Sequence, residues 1–284
     1  MPGPERLVPL KPEVLEEENQ AGFIRRKITF QVELGDRLWA YLLLPEGTIE
    51  KRPAMLCLHQ TTPLGKAEPA GLGGKPNLHY ARELAERGYV CLVPDYPNKG
   101  EYKADPYALG YASATMKGIW NHMRALNFLG TLPEVDASRI GCIGHSLGGH
   151  NTLFVAAFDE RIKALVVSSG FTSFRQYKGG NLAGWAHAGY MPRITSIYGN
   201  DPARMPFDFD DVLATIAPRP LFINAPLQET NLKVEGVREC VEAVKPIYAS
   251  FRAEQNLTVM HPDCGHDFPG EIRQAAYCFL DSVL

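Results

Sequence analysis

The chain has 284 residues, 45% hydrophobic and 21% charged, the proportions of an ordinary globular protein long enough to bury a core. Its formal net charge of -3 gives no footing for nucleic acid or an anionic membrane surface, and no apolar run approaches membrane-spanning length. Six scattered cysteines (Cys57, Cys91, Cys142, Cys240, Cys264, Cys278) show no C-x-x-C or His/Cys metal spacing. The opening Met1-Pro2-Gly3-Pro4-Glu5-Arg6 lacks the basic-then-apolar pattern of a secretory signal. The expectation is a reduced, cytoplasmic protein without a metal site, a disulfide through Cys240 or Cys264 being the minor alternative.

In chain order, residues 1–21 are rich in proline and glutamate and read as an arm wrapping the surface. Phe23 to Leu34 and Arg37 to Leu44 alternate in part, with Gly35-Asp36 between them, and predict an antiparallel hairpin. Pro53 to His59 is apolar without alternation, as expected of a central parallel strand. A long Pro/Gly-rich loop, Gln60 to Pro76, follows. Asn77 is placed to cap a helix ending near Arg87, with Gly88 as its stop. Tyr89 to Pro94 is a second buried strand, and Ala112 to Leu129 an amphipathic helix with Met116, Ile119, Trp120, Met123 and Leu126 on one face.

Asp136 to Ile140 leads into another buried strand ending at Ile143. Ile162 to Ser168, Pro220 to Asn224 and Leu257 to Met260 read as further strands; Val237 to Phe251 and Phe268 to Val283 read as helices. Such alternation predicts one α/β domain with a mostly parallel sheet covered on both faces. The irregular stretch 171–211 is read as an insertion over a pocket.

The chemistry concentrates after Ile143, at Gly144-His145-Ser146-Leu147-Gly148. This G-x-S-x-G sequence sits between an apolar strand and an apolar helix. The serine there occupies a sharp strand-to-helix turn, with glycines where a Cβ would collide with neighbouring chain. Ser146 is thereby lifted above the sheet at a helix N-terminus, which favours negative charge.

Gly-His-Ser-Leu-Gly-Gly at mid-chain resembles the α/β-hydrolase superfamily, and within it the dienelactone hydrolase and acetyl-xylan-esterase-like branch, over about residues 24–284. That resemblance implies a serine hydrolase in which the chain order is nucleophile, acid, histidine. His266 stands after the last strand and before the last helix, with small residues beside it, and is the expected base. Glu229 is the only carboxylate before Glu235 in the loop after the 220–224 strand, and is the expected acid where many relatives carry aspartate. Asp210 or Asp211 is the alternative. Asp263 reads as a turn former.

The oxyanion donors are expected to be the Leu147 backbone N–H and that of Gln60 or Thr61. Tyr96, Trp185, His187, Tyr190 and Arg193 are candidate substrate contacts. His145 and His59 read as local packing or loop-shaping residues, and His79, His122 and His150 as ordinary helix residues. The expected activity is hydrolysis of a small-molecule carboxylic ester, such as an acylated sugar or an aryl ester, through an acyl-enzyme. The reaction implies no cofactor, nucleic-acid partner or membrane partner, and an oligomer stays open. A peptidase or amidase using the same residues, or a non-catalytic binding protein on the same fold, is the alternative.

Overall fold

The computed structural model describes residues 3–47 and 50–284; Met1 and Pro2 of the expected N-terminal arm lie outside the described residues. Nine strands form one sheet: β1 (Glu13–Gln20), β2 (Phe23–Glu33), β3 (Asp36–Pro45), β4 (Arg52–Leu58), β5 (Val90–Pro94), β6 (Val135–His145), β7 (Ile162–Ser168), β8 (Leu221–Asn224) and β9 (Leu257–Met260). Their order is β1-β2-β3-β5-β4-β6-β7-β8-β9. The first four in that order pair antiparallel, and every pair from β5/β4 onward is parallel.

Helices α1 (Tyr80–Glu86) and α7 (Gly270–Val283) pack on one face. Helices α2 (Ala114–Leu129), α3 (Leu147–Phe158), α5 (Phe209–Ile216) and α6 (Val234–Ser250) pack on the other, and the four-residue α4 (Arg193–Ser196) lies in the 171–211 stretch. The central strands serve both layers, because alternate side chains leave opposite faces of a strand. In β4, Ala54, Leu56 and Leu58 join the α2/α3 layer, whereas Met55 and Cys57 join the α1/α7 layer. All six cysteines carry free thiols, and four of them are buried.

Two expectations need correcting. The N-terminal arm is in part a strand: β1 pairs antiparallel with β2. Its glutamates face cations on the neighbouring strands, Glu18 with Arg25 at 2.5 Å, Glu17 with Arg26 at 2.6 Å, Glu16 with Lys27 at 3.1 Å and Glu13 with Arg37 at 3.0 Å. Opposite charges across a ladder favour pairing in a sequence whose own strand propensity is poor. Asn77 does not cap α1, whose N-cap is His79 without a side-chain bond. Its amide is instead used in tertiary contacts with Asp267 and Arg273, described below. The helix expected from Ala112 begins two residues later: Ser113 accepts from the Met116 N–H at 3.0 Å, an N-cap bond that fixes where α2 begins.

Candidate active site

Ser146 joins β6 to α3 at φ 55° and ψ -120°, a strained conformation for a residue with a side chain. Its N–H donates to the Ser168 carbonyl at 2.8 Å, and its own carbonyl accepts from the His150 N–H at 2.9 Å. The flanking glycines explain how so tight a turn fits. A Cβ at Gly144 would overlap the Gly148 backbone, and a Cβ at Gly148 would overlap the Leu58 carbonyl at the end of β4. The N-terminus of α3 is thus pressed against the segment that leaves β4. This brings the first, unsatisfied N–H groups of the helix beside the loop that carries Gln60 and Thr61.

That loop is held from several sides. His59 is buried. Its Nδ1 is 2.6 Å from the Gln60 carbonyl, and its Nε2 is 2.9 Å from the Tyr96 N–H. Burial lowers its basicity, so the ring is neutral, donating through Nδ1 and accepting at Nε2. The Gln60 amide donates to Glu68 at 2.8 Å, and the Thr61 hydroxyl lies 2.5 Å from the Tyr190 hydroxyl. Behind them, the buried carboxylate of Asp95 takes both the backbone N–H and the ammonium of Lys66 at 2.8 Å.

His266 and Glu229 come from two loops that the backbone ties together. Past the ends of β8 and β9, Ala225 N–H donates to the Met260 carbonyl, Leu227 N–H to Pro262 and Gln228 N–H to Cys264, each at 2.9 Å. The Gln228 side chain binds Asp263 at 2.7 Å, and His261 Nδ1 lies 2.8 Å from the Ala225 carbonyl. At the end of this zipper the His266 Nδ1 bonds the Glu229 carboxylate. Glu229 is buried and also accepts from the Asn231 N–H at 3.0 Å. Burial pushes the Glu229 carboxyl up, but the contact with His266 and the backbone N–H groups of Asn231 and Leu232 outweigh it, and the group stays below the usual carboxylate range.

The loop bearing His266 is fastened on its far side as well. The Asn224 amide donates to the Asp267 carbonyl at 3.0 Å and to the Ser168 hydroxyl at 2.8 Å, and that hydroxyl lies 2.8 Å from His145 Nδ1. The Asn77 amide donates to the Asp267 carboxylate at 2.7 Å, while its carbonyl accepts from Arg273 at 2.9 Å. Arg273 forms two bonds of 2.9 Å to Glu83. The His145 ring packs against His266 with centroids 4.6 Å apart.

Ser146 and His266 line one cavity of about 160 Å³, together with Leu147, His150, Gly170, Tyr177, Lys178, Gly184, Trp185, Tyr190, Asn231 and Leu232. Of the five candidate substrate contacts, Trp185 and Tyr190 stand on its wall. Tyr96 does not: it is buried behind Tyr190, with its hydroxyl donating to the Gly189 carbonyl at 3.1 Å. His187 is exposed, accepts from the Gly189 N–H at 3.0 Å and packs edge-on against Tyr190. Arg193 is exposed at the start of α4, also off the cavity wall. Gln60 and Thr61 lie beside the site without lining the cavity.

Asp210 and Asp211 line a separate cavity. Asp211 accepts from the Asp208 N–H at 3.0 Å in the cap of α5, so its carboxylate is occupied there. Sequence reasoning missed His150, Tyr177, Lys178, Asn231 and Leu232. His150 was within reach of that reasoning, since it lies on the first turn of the helix that Ser146 opens; the others come from loops without a local pattern.

A mostly parallel sheet carrying a strained serine at the turn into α3 defines an α/β-hydrolase. The model of the acetyl xylan esterase (AXE1) family matches residues 7–178, and that of the fungal glucuronyl esterases matches residues 107–251. The chain belongs to the acetyl xylan esterase family of serine esterases and is a carboxylic ester hydrolase.

Among curated relatives, it is 26% identical over 288 residues to YtaP of Bacillus subtilis (strain 168), a protein named provisionally as a hydrolase, with 97% of this chain and 93% of that one covered. A glucuronoyl esterase from Solibacter usitatus has the same fold at a TM-score of 0.76 and 17% identity, over 99% of this chain and 88% of that one. Acetyl xylan esterase 1 from Thermoanaerobacterium sp. JW/SL YS485 matches at a TM-score of 0.66 and 17% identity, over 97% and 89%.

Proposed function

We propose that Ser146, His266 and Glu229 form the catalytic triad of an esterase acting on carbohydrate-borne esters. The observation that carries this reading is the shared cavity: a serine in a strained elbow and a histidine whose Nδ1 is held by a buried carboxylate open onto the same space. A serine hydroxyl needs a neighbouring base, and the base needs an acid that fixes its tautomer. Glu229 bound at Nδ1 leaves Nε2 of His266 for the serine.

In this mechanism Ser146 Oγ bonds to the ester carbonyl carbon while its proton passes to His266 Nε2. The resulting oxyanion is held by the Leu147 N–H and by the N–H of Gln60 or Thr61. Collapse breaks the bond to the alkoxy oxygen, which leaves as the alcohol with the proton from His266. Water, deprotonated by the same nitrogen, then releases the acid. Stretch 171–211 acts as the cover of the cavity, which it walls through Tyr177, Lys178, Gly184, Trp185 and Tyr190.

The carbohydrate reading draws support from the neighbours named glucuronoyl and acetyl xylan esterases and from a wall that mixes aromatic rings with polar groups. We also place the protein in a reducing, cytoplasmic compartment, on its six free thiols. Among the described residues no helix is long and apolar enough to cross a membrane.

A fluorophosphonate probe is expected to label the wild-type protein and not Ser146→Ala, and ester turnover to vanish in that variant. Labelling that persists in Ser146→Ala, or turnover that survives it, overturns the assignment. Aminoacyl amides run beside the esters separate an esterase from a peptidase.

A further inference from the structure

His150 is a cavity-wall residue with no assigned partner. It sits on α3, four residues after Ser146, and the two residues line the same cavity. Its side chain is 3% exposed, and neither ring nitrogen has a hydrogen-bond partner among the described residues. The ring is boxed by aromatic groups: Phe154 at 4.5 Å, Trp185 at 4.7 Å and Phe209 at 6.0 Å between centroids. Burial without a compensating charge holds its basicity far down, to a pKa of about 3, so the imidazole is neutral and offers one donor and one acceptor.

A buried polar group left unsatisfied costs roughly 1–3 kcal/mol. A phenylalanine or leucine would fill the same aromatic box without that cost. Packing therefore gives no reason for a histidine here, whereas a ligand entering the cavity supplies the missing partners.

From this geometry we infer that His150 is a specificity residue, reading a hydroxyl group close to the scissile ester of a hydroxylated, sugar-like substrate. The inference rests on the esterase reading of Ser146. A single helical turn separates the two residues, so a group reaching His150 lies within a few bonds of the carbonyl attacked by Ser146. Trp185, which packs on the imidazole and belongs to the covering stretch, must shift its edge for that hydroxyl to reach a ring nitrogen. Recognition of the substrate and settling of the cover are thereby coupled at this contact. The neutral ring also fits an uncharged hydroxyl better than a free carboxylate, which would gain only one donor from it.

Two matched pairs of esters test this. Methyl D-glucuronate against methyl cyclohexanecarboxylate places the hydroxyls on the acyl side. Methyl 4-O-acetyl-β-D-xylopyranoside against cyclohexyl acetate places them on the alcohol side. The wild-type protein is expected to favour the hydroxylated member of at least one pair in kcat/KM. His150→Phe should reduce that preference by about tenfold to a hundredfold, and His150→Gln should restore part of it.

Because the replacement removes two unpaired buried nitrogens, the Tm of His150→Phe or His150→Leu is expected to equal or exceed that of the wild type. Titration of the two sugar esters into Ser146→Ala and into Ser146→Ala/His150→Phe reads the same contact without turnover. The inference is overturned if the wild type shows no preference in either pair, if His150→Phe leaves the preference intact, or if both members of a pair fall equally while Tm drops. Loss of all turnover in Ser146→Ala tests the esterase reading separately, so the two can fail independently.

Discussion

Glu229 and Gly148 show how much single side chains decide here. Glu229→Gln keeps the volume of the side chain but removes the charge that sets the tautomer of His266. Its kcat is expected to fall by about 10³–10⁴, the scale seen when a triad acid becomes an amide, with circular dichroism unchanged. Near-normal turnover would mean that Glu229 is not the acid of the triad. A pH effect follows from the depressed Glu229 pKa. The group stabilises the folded state above the ordinary carboxylate value of 4.5 and loses that contribution as pH falls through its lower folded-state value. Urea denaturation should therefore show wild type and Glu229→Gln diverging at pH 7 and converging as the pH drops below about 4. Gly148→Ala has a different character. The added methyl overlaps the Leu58 carbonyl, so α3 must separate from β4, and poor soluble yield or a sharply lower Tm is expected. Serine, histidine and glutamate were legible in the sequence because each sits at a fixed place relative to a strand end. Tyr96 lies off the cavity wall that Ser146 lines. It too follows a strand, but its side chain turns under Tyr190, and no local pattern records that direction.

At the level of elements, the position of His266 depends on parts of the chain far from it. Asn77, in the short segment before α1, holds the carboxylate of Asp267, the next residue, and is itself held by Arg273 of α7. Asn77→Ala removes that brace without cutting into the core. It is expected to lower kcat by about 5–20-fold, roughly 1–2 kcal/mol of misalignment, with KM nearly unchanged and Tm lowered by only a few degrees. An equal change in KM, with kcat preserved, would show that the brace serves binding and leaves the histidine alone. Asn77 was expected to cap a helix, which is what asparagine before an apolar helix most often does. The contact that displaced this reading spans 190 residues. β1 was hidden for a related reason: Glu13 to Gln20 has poor strand propensity, and its pairing is supported by Arg25, Arg26, Lys27 and Arg37 on the neighbouring strands. Periodicity revealed the central strands and the long helices because there a single element carries its own signal.

Across the whole molecule, the antiparallel β2–β3 hairpin is fastened to α2 by a buried ionic knot. Lys117 of α2 meets the carboxylates of Glu33 and Asp36, which also accept from Tyr111 at 2.9 Å and Tyr102 at 2.6 Å. Lys117→Met strands two buried carboxylates and is expected to cost about 3–5 kcal/mol, measured by urea denaturation. A change below 1 kcal/mol would mean that Tyr111, Tyr102 and Arg6, which reaches Glu33 at 3.0 Å, suffice to hold them. The sheet also divides the proposed catalytic apparatus. The histidine and the glutamate ride together on the zipped ends of β8 and β9, while the serine stands apart on β6 and α3. No hydrogen bond joins Ser146 to His266 among the described residues, although the bond from His266 to Glu229 is made. The base is thus held in the tautomer the proposed mechanism needs, and its ring is stacked on His145 beside the nucleophile. In the proposed triad, loosening the contacts past the ends of β8 and β9 would displace base and acid together and leave the turn at Ser146 as it is, so the backbone bonds from Ala225, Leu227 and Gln228 matter to turnover as much as the side chains they carry.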